Sequence, residues 1–378
     1  MGKVKNNIDP EELARASRLM KTPNEFIQNL PKVELHLHIE GTLSPALRWR
    51  LAQRNHLQLK HKSRVYETEE QLASSYNVIY NHRGKLRGDD ERPTFLDAYY
   101  GGMDVLREPE DFYDLGMAYL ERCRDMSVRY TEPFFDPQAH TRRGVSLEAV
   151  MDGLKRAQTD GKGKLGVSSQ WTMCFLRDMS PESAMEHYTA ALAYRPFVHA
   201  IGLDSDEYDR PPSLFEDVYQ RARADGFRLT CHCDVAQKDT HDHIRQVAST
   251  VAGTGADRID HGLNAADDPD LVALVQERDL GMTICPWAYY RHEPADEVFP
   301  KVRMLFDAGV KVTINSDDPA YMGDNWVVEN LALVEKMCGF SRAELCQLER
   351  NAIEISWAPE LLKARLLDEL ENFQRVFK

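Results

Sequence analysis

Eight short runs rich in β-branched and apolar residues recur along this chain, with longer helical stretches between them. Strands that alternate with amphipathic helices pair in parallel through right-handed crossovers, and eight such units close into a barrel. The pattern therefore predicts an α/β protein with a (β/α)8 TIM-barrel fold. The predicted strands are Val33–His38, Val128–Asp136, Ser169–Leu176, Phe197–Asp204, Phe227–Cys233, Arg258–His261, Gly281–Pro286 and Lys311–Asp317.

The chain is predicted to form one barrel domain, residues 1–378, because barrels of this kind run well past the usual domain size as a single unit. About ninety residues separate the first two predicted strands, whereas the other gaps are nearer to about thirty. This difference predicts a helical insertion at about residues 50–127, over the C-terminal mouth of the barrel. The last part of the chain, Ser341–Lys378, is predicted to form helices that close the structure.

Composition argues against several classes of partner. The net charge is −14 and no dense stripe of lysine and arginine occurs, so we expect no nucleic-acid partner. No run of 18 apolar residues occurs and no apolar segment follows the N-terminus, so neither a membrane span nor a secretory signal is predicted. The seven cysteines are odd in number and scattered, which favours free thiols in a reducing cytoplasm. Whether the chain forms a homo-oligomer is left open by the sequence.

Ionisable residues gather at the C-terminal ends of four predicted strands. These ends are His36-Leu37-His38, His232, Asp260-His261-Gly262 and Asp317-Asp318-Pro319. In a parallel barrel such ends share one face, which is where barrel active sites lie. Alternate residues of a strand point the same way, so His36 and His38 are both expected to face the barrel axis.

Three imidazoles and one carboxylate at that face would suit a divalent, zinc-like ion with one position open for water. A single His-x-His pair on a strand is more often ordinary structure than a metal pair. Several ionisable residues at the ends of four strands shift the balance, since burying that many imidazoles without a cation would be costly. We therefore predict a metal site.

Four motifs occur in order along most of the chain. They are Leu30–Leu43, which contains His-Leu-His-Ile-Glu-Gly-Thr-Leu, and Gly202–Glu207, Arg258–Gly262 and Asn315–Pro319. Together they resemble the motifs of the adenosine/adenine deaminase family within the amidohydrolase superfamily, over about residues 28–357. The segments Phe95–Tyr100 and Phe134–Thr141 are more similar to the adenine deaminase branch than to the adenosine one.

The resemblance implies a metal-dependent hydrolytic deaminase of purine metabolism, acting on a small N-heterocycle such as adenine or an N6-substituted purine. A bound zinc ion, with Fe²⁺ or Mn²⁺ as alternatives, would activate a hydroxide that attacks the ring carbon bearing the amine. The matching residues are His36, His38, His232 and Asp317 as metal ligands, His261 as the histidine that orients and deprotonates the water, Asp318 as a carboxylate that contacts substrate and hydroxide, Gly202 as a backbone contact to the purine, and Glu40 as an acid near the pocket rim.

The sequence departs from the family pattern at the strand-five motif, which in the family reads His-Ala-Gly-Glu. Here it reads His232-Cys233-Asp234-Val235, so Val235 occupies the position of the glutamate. That glutamate protonates the ring nitrogen next to the attacked carbon, which valine cannot do, and general acid catalysis typically contributes about 10²–10⁴-fold. Either Asp234, a candidate catalytic acid, or Gln237 reaches the ring from a rearranged loop, or the substrate differs.

Two alternatives to adenine deamination therefore stay open. One is a metal-dependent hydrolase of a different N-heterocycle or leaving group that needs no ring protonation. The other is a catalytically silent relative that binds a purine, although retention of every predicted ligand together with His261 and Asp318 argues against it. A second departure, Cys285–Tyr290 where the family usually has Cys-Pro-Leu-Ser-Asn, would either reshape the pocket or pack against the insertion.

Overall fold

A computed structural model describes residues 10–78, 93–235, 237 and 240–377, so part of the predicted insertion, residues 79–92, lies outside the described ranges. The strands within those ranges are β1 (Lys32–Glu34), β2 (Lys60–His61), β3 (Arg64–Val65), β4 (Val128–Thr131), β5 (Phe134–Phe135), β6 (Ser168–Ser169), β7 (Trp171–Leu176), β8 (Val198–Asp204), β9 (Arg228–Leu229), β10 (His232–Cys233), β11 (Arg258–His261), β12 (Gly281–Ile284) and β13 (Lys311–Ile314).

Helices separate these strands along the chain. They are α1 (Pro10–Met20), α2 (Glu25–Asn29), α3 (Pro45–Arg54), α4 (Glu69–Ser74), α5 (Phe95–Gly102), α6 (Pro109–Asp125), α7 (Pro137–Thr141), α8 (Leu147–Asp160), α9 (Pro181–Ala191), α10 (Glu216–Ala224), α11 (His241–Ser249), α12 (Pro269–Glu277), α13 (Pro286–Tyr290), α14 (Ala295–Asp307), α15 (Val327–Met337), α16 (Arg342–Ile355) and α17 (Glu360–Val376). Short 3-10 turns include Glu40–Thr42 and Pro319–Met322.

The strands form one ring of eight parallel runs, apart from β2 and β3, which make a separate antiparallel pair. β1 pairs with β4 and β4 with β6; β5, which continues β4, pairs with β7, and the sheet goes on through β8 to β9. β10 continues β9 and pairs with β11, which is followed by β12 and β13. The ring closes where His38 N–H donates to Asp317 O at 3.1 Å and Asp317 N–H donates to His36 O at 3.2 Å. Every predicted strand is present, and the fold is the predicted (β/α)8 barrel.

Local sequence determines where the outer helices begin. Ser146 caps α8 by accepting a hydrogen bond from Ala149 N–H at 3.1 Å. Ser341 and Glu344 form a reciprocal capping box at the start of α16, which packs against β13 and β1. These caps satisfy amide groups that the first helical turn leaves unpaired, so each helix starts at a defined residue and returns the chain to the ring.

The long connection between the first two strand runs divides into two parts. The 3-10 turns Glu40–Thr42 and Pro319–Met322, which follow β1 and β13, both contact α5, so this helix lies over the C-terminal mouth. In contrast, α6 packs along α8 and β4 as an outer barrel helix does. The predicted insertion at about residues 50–127 therefore includes a helix that belongs to the barrel ring.

One continuous apolar core runs from Ala16 to Leu370 and includes residues of both the ring and the helices. Within the core, Arg258 and Glu132 form a fully buried ion pair with Nη1 and Oε2 2.6 Å apart. The guanidinium of Arg258 also lies 4.0 Å over the ring of Trp357, and the backbone N–H of Trp357 donates to Glu132 Oε1 at 2.6 Å. Across the described ranges, none of the helices is both long enough and apolar enough to cross a membrane.

Substituting Glu132→Gln should lower the free energy of unfolding by about 3–5 kcal/mol, because the buried charge of Arg258 would lose its nearest carboxylate and keep only Asp260, whose Oδ1 is 3.6 Å from its Nε. Chemical denaturation followed by circular dichroism measures this change. The matched control is Glu110→Gln, which removes an exposed partner of Arg156 and should leave the denaturation midpoint almost unchanged. Wild-type stability in Glu132→Gln would show that this ion pair does not hold the barrel together.

Candidate active site

Four side chains from different strand ends converge at the C-terminal mouth of the barrel. We call His36, His38, His232 and Asp317 the ligand cluster. Nε2 of His38 lies 3.0 Å from Nε2 of His232, and Oδ1 of Asp317 lies 3.7 Å from His36 Nε2 and 3.6 Å from His38 Nε2. All four side chains are buried. The structure thus brings together the residues predicted as metal ligands.

The orientation of His36 is set by a chain of hydrogen bonds through Thr283. The Thr283 hydroxyl donates to Asp260 Oδ1 at 2.9 Å, so at 2.8 Å from His36 Nδ1 it must accept a proton from that nitrogen. The lone pair of His36 therefore lies on Nε2, which is buried and has no hydrogen-bond partner in the protein. A bound cation would satisfy this nitrogen.

Carboxylates also lie behind the other two imidazoles of the ligand cluster. Asp204 Oδ2 is 3.4 Å from His38 Nδ1, and Asp260 Oδ2 is 3.6 Å from His232 Nδ1. A carboxylate on the far ring nitrogen fixes the tautomer and turns Nε2 towards a metal. The Nε2 atoms of all three ligand-cluster histidines are thereby available for a cation.

The electrostatics of the ligand cluster suit a divalent ion. Burial alone would raise the pKa of Asp317, but the nearby imidazoles of His36, His261 and His38 outweigh burial and lower that pKa below the usual range. Burial, followed by the charge of His36, lowers the pKa of His232 well below its ordinary value. An ionised carboxylate and a neutral imidazole are the forms that bind a metal, so these residues fit the predicted ion.

His261 and Asp318 lie beside the ligand cluster, where the resemblance placed them. His261 Nε2 is 3.8 Å from Asp317 Oδ2, and burial, then the charge of His36, lowers the pKa of His261 well below its usual value. Asp318 is buried, and Gly41 lies so close to it that a Cβ on Gly41 would overlap the carboxylate. The glycine of the Glu-Gly-Thr motif therefore leaves the space that Asp318 occupies.

Three site residues have a left-handed backbone that non-glycine residues rarely adopt. The φ angles are 63° at His261, 66° at Asp317 and 70° at Asp234. Such conformations cost about 1–3 kcal/mol each and persist only where the surrounding structure holds them. His261 is the last residue of β11, and Asp234 and Asp317 follow the ends of β10 and β13, so the strained backbone turns these side chains away from the directions they would have in a regular strand.

A cavity of about 640 Å³ opens beside the ligand cluster, within the range typical of small-molecule sites. α5 contributes an aromatic wall of Phe95, Tyr99 and Tyr100, in which the rings of Phe95 and Tyr99 are stacked with centroids 5.8 Å apart. The acidic residues that line the cavity are Asp136, Asp204, Asp206, Glu207, Asp317 and Asp318. A flat heterocycle with N–H groups could stack against the aromatic residues and donate hydrogen bonds to the acidic ones.

Two predicted substrate contacts lie outside the cavity lining of the described residues. Glu40 is buried, with Oε1 2.8 Å from His140 Nε2 and accepting from Asp136 N–H at 3.1 Å. Gly202 lies within β8, where an added Cβ would meet Cys174 Sγ at 2.5 Å. Glu40 can therefore influence the cavity through Asp136, and the predicted contacts of Glu40 and Gly202 with substrate stay predictions.

Asp234, the candidate catalytic acid, has its side chain inside the protein. Its Oδ2 accepts from Asn264 N–H at 2.7 Å, its Oδ1 accepts from the hydroxyl of Tyr289, and the described cavity lining does not include it. Asp234 stands where the family motif has glycine, which agrees with its φ of 70°. This geometry gives no support to direct contact between Asp234 and a substrate.

The aromatic residues of the second departure are buried against the barrel. Trp287 Nε1 donates to Met322 O at 2.8 Å, and the ring of Tyr289 lies 5.6 Å from that of His261 in an edge-to-face arrangement. Tyr289 also supplies the hydroxyl that binds Asp234. The two departures from the family pattern are therefore in direct contact.

Several residues that support the site were not identified from the sequence. In the sequence, Asp204 stands inside the Gly202–Glu207 motif, Asp260 precedes His261, and Thr283 lies inside a predicted strand, and none of them was predicted to support the site. Their contacts depend on the register of β10, β11 and β12, in which Asp260 stands beside both His232 and Thr283. The polar residue Thr283 in an otherwise apolar strand was the available signal.

Comparison with known proteins agrees with the fold and identifies the family. The family model of adenosine deaminase matches residues 31–373. The chain is 43% identical over 352 residues to an uncharacterized deaminase of Schizosaccharomyces pombe, covering 93% of this chain and 98% of the relative. It is 40% identical over 332 residues to an adenine deaminase of Stutzerimonas stutzeri, covering 88% and 98%. The crystal structure of an adenine deaminase from Arthrobacter aurescens has a TM-score of 0.81 at 37% identity, covering 92% and 99%.

The fold and the site define a metal-dependent hydrolytic deaminase built on a (β/α)8 barrel. The chain belongs to the adenosine deaminase family. The sequence-based predictions of family, barrel fold and enzyme class are confirmed.

We expect the purified protein to retain about one divalent ion per chain. The variants His36→Ala and Asp317→Ala should lose this ion, because each substitution removes one side chain of the ligand cluster. Elemental analysis after dialysis measures the metal content. Thermal unfolding should also shift upwards when the ion is restored to stripped wild-type protein, since the ion binds the folded state.

The matched control is His56→Gln, which changes an exposed histidine and should keep the full metal content. Full occupancy in Asp317→Ala, with a fold that circular dichroism shows to be intact, would contradict the assignment of the ligand cluster.

Proposed function

We propose that this protein hydrolytically deaminates adenine or an N6-substituted adenine, releasing ammonia or the corresponding amine. The observation that carries the proposal is the convergence of the ligand cluster beside His261 and Asp318 at the edge of an aromatic cavity. The relatives named adenine deaminase, at 40% and 37% identity over most of both chains, support adenine as the parent substrate.

The residues of the site have different roles in the proposed reaction. A divalent cation held by the ligand cluster would lower the pKa of a bound water to about 7 and so supply hydroxide at neutral pH. His261 is the base that takes the proton of the attacking water, since its low pKa keeps the imidazole neutral. Asp318 orients the attacking oxygen and the departing amine by accepting their hydrogen bonds.

The cavity walls suit a purine base. A planar ring can stack against Phe95 and Tyr99, whereas its N–H groups can donate to Oδ1 of Asp136 and Oδ1 of Asp204, which are buried and have no hydrogen-bond partner in the protein. Unpaired buried acceptors favour a ligand that brings donors to them, because an unsatisfied polar group costs free energy. The two carboxyl groups would therefore orient the purine base by accepting hydrogen bonds from its N–H groups.

A second candidate function is hydrolysis of another heterocycle or leaving group that needs no ring protonation. Val235 favours it, because this residue lines the cavity at the position where the family carries its acid. The two candidates differ in the substrate and share the metal site and His261.

An ammonia-release assay over adenine, N6-methyladenine, adenosine, aminopyrimidines and aminopterins separates the two candidates. We expect turnover of adenine or N6-methyladenine, with loss of the purine absorbance and stoichiometric release of ammonia or methylamine. His261→Ala should lower kcat by about 10²–10⁴-fold, because the base is removed.

Two other outcomes of that assay are decisive. Release only from the pyrimidines or pterins would support the second candidate. A metal-loaded wild-type protein that releases no amine from any member of the panel would overturn both candidates and support the silent relative.

We propose zinc as the resident ion, since three imidazoles and a carboxylate are a common zinc set, with Fe²⁺ and Mn²⁺ as the alternatives that elemental analysis would distinguish. A cytoplasmic location is proposed on the free thiols of all seven cysteines. The proposed partner is the small-molecule substrate, and the oligomeric state is a matter for solution measurement.

A further inference from the structure

The structure places a carboxylate beside the segment that lacks the family's glutamate. Glu207 belongs to the loop after β8, and its Oε2 accepts a hydrogen bond from Asp234 N–H at 2.5 Å. Asp234 directly precedes Val235, so Glu207 reaches the backbone next to the position of the missing acid. Glu207 and Val235 line the same cavity as His261 and Asp318.

We propose that Glu207 donates the proton that the substrate ring nitrogen requires, in place of the absent glutamate. This inference rests on the proposed deamination of an aminopurine. In the step, the O–H bond of the Glu207 carboxyl group breaks and an N–H bond forms at the ring nitrogen next to the attacked carbon. The hydroxide oxygen bonds to that carbon, the electron pair of the C=N bond moves to the nitrogen, and Glu207 becomes a carboxylate.

His243 on α11 completes the arrangement as a positioning residue. Its Nδ1 lies 2.6 Å from Glu207 Oε1, and the side chains of His243 and Glu207 are 16% and 6% exposed. The imidazole and the N–H of Asp234 would both stabilise the carboxylate left after proton transfer. Because His243 reaches solvent, it also offers a path by which Glu207 recovers its proton from water before the next turnover.

The acids and amides near Val235 are less suited to this role. The side chain of Asp234 binds Tyr289 and Asn264 and is absent from the described cavity lining, whereas Glu207 lines the cavity. Gln237 lines the cavity, but an amide has no transferable proton of suitable acidity.

Two further acids in the cavity belong to the surroundings of the metal site. Asp136 and Asp204 have oxygens within 4.8 Å of a His38 ring nitrogen. Among the acids of the described cavity lining, Glu207 is therefore the one that combines a hydrogen bond to the backbone of Asp234 with a contact to the imidazole of His243.

Substituting Glu207→Gln keeps the size of the side chain and removes its acidic proton. With the aminopurine that the wild type deaminates, kcat should fall by about 10²–10⁴-fold while KM changes little. Adding Val235→Glu to the Glu207→Gln protein restores an acid at the family's position and should recover most of the lost kcat. The affinity for hypoxanthine, measured by calorimetry, should fall about tenfold or more in Glu207→Gln, since the product N–H would lose a charged acceptor.

The matched control is Glu216→Gln, which alters a glutamate on α10 that also accepts a backbone hydrogen bond, from Ala252 N–H at 3.2 Å, away from the cavity. Its kcat should equal that of the wild type. A merely structural role of Glu207 predicts the opposite pattern, with a lower thermal midpoint, a lower metal content and no rescue by Val235→Glu. That pattern would overturn the inference.

Val235→Glu alone gives a test that does not depend on the folding of the Glu207→Gln protein. If Glu207 already donates the proton, a second acid should change kcat by no more than a few-fold, whereas acceleration of about 10²-fold would show that the site lacks a donor. A wild type that releases no amine would overturn the proposed function and the role of Glu207 together. An active wild type with a fully active Glu207→Gln variant would overturn the role of Glu207 alone.

Discussion

The hydrogen bonds that close the barrel are made by residues of the ligand cluster itself. His38 N–H donates to Asp317 O and Asp317 N–H donates to His36 O, which joins the last strand run to the first. Ligands from nearly opposite ends of the chain therefore meet only when the ring of eight strands is complete. The left-handed φ of 66° at Asp317 is held by the same closure, so the geometry of the site depends on the whole fold.

Support for the ligands comes from residues that the ring brings into register. Asp260 accepts the hydroxyl hydrogen bond of Thr283 and lies beside the ring of His232, so one carboxylate orients ligands on two strands. This arrangement fixes the tautomer of His36 before any ion binds. The parallel pairing of β11 and β12, which places Asp260 beside Thr283, therefore determines which nitrogen of His36 can bind a cation.

The strands and the ligand cluster were predictable from sequence for a local reason. Each strand belongs to a short run rich in β-branched and apolar residues, and the ends of parallel strands meet at one face whatever the details of packing. Side-chain direction outside a regular strand is not a local property. Asp234 was the nearest new acid in sequence, yet its left-handed backbone and the hydroxyl of Tyr289 turn it into the protein. Glu207 approaches the same segment from a distant loop, and only the folded ring shows that proximity. The site has thus departed from the family pattern at residues that contact one another, while the cluster that would hold the ion is intact.

Anomalous diffraction from crystals of the metal-loaded protein tests the central claim most directly. One peak should lie about 2.0–2.2 Å from the Nε2 atoms of the three clustered histidines and from a carboxylate oxygen of Asp317. A peak at another place, or ordered crystals of loaded protein with no density among these four side chains, would contradict a metal-dependent enzyme.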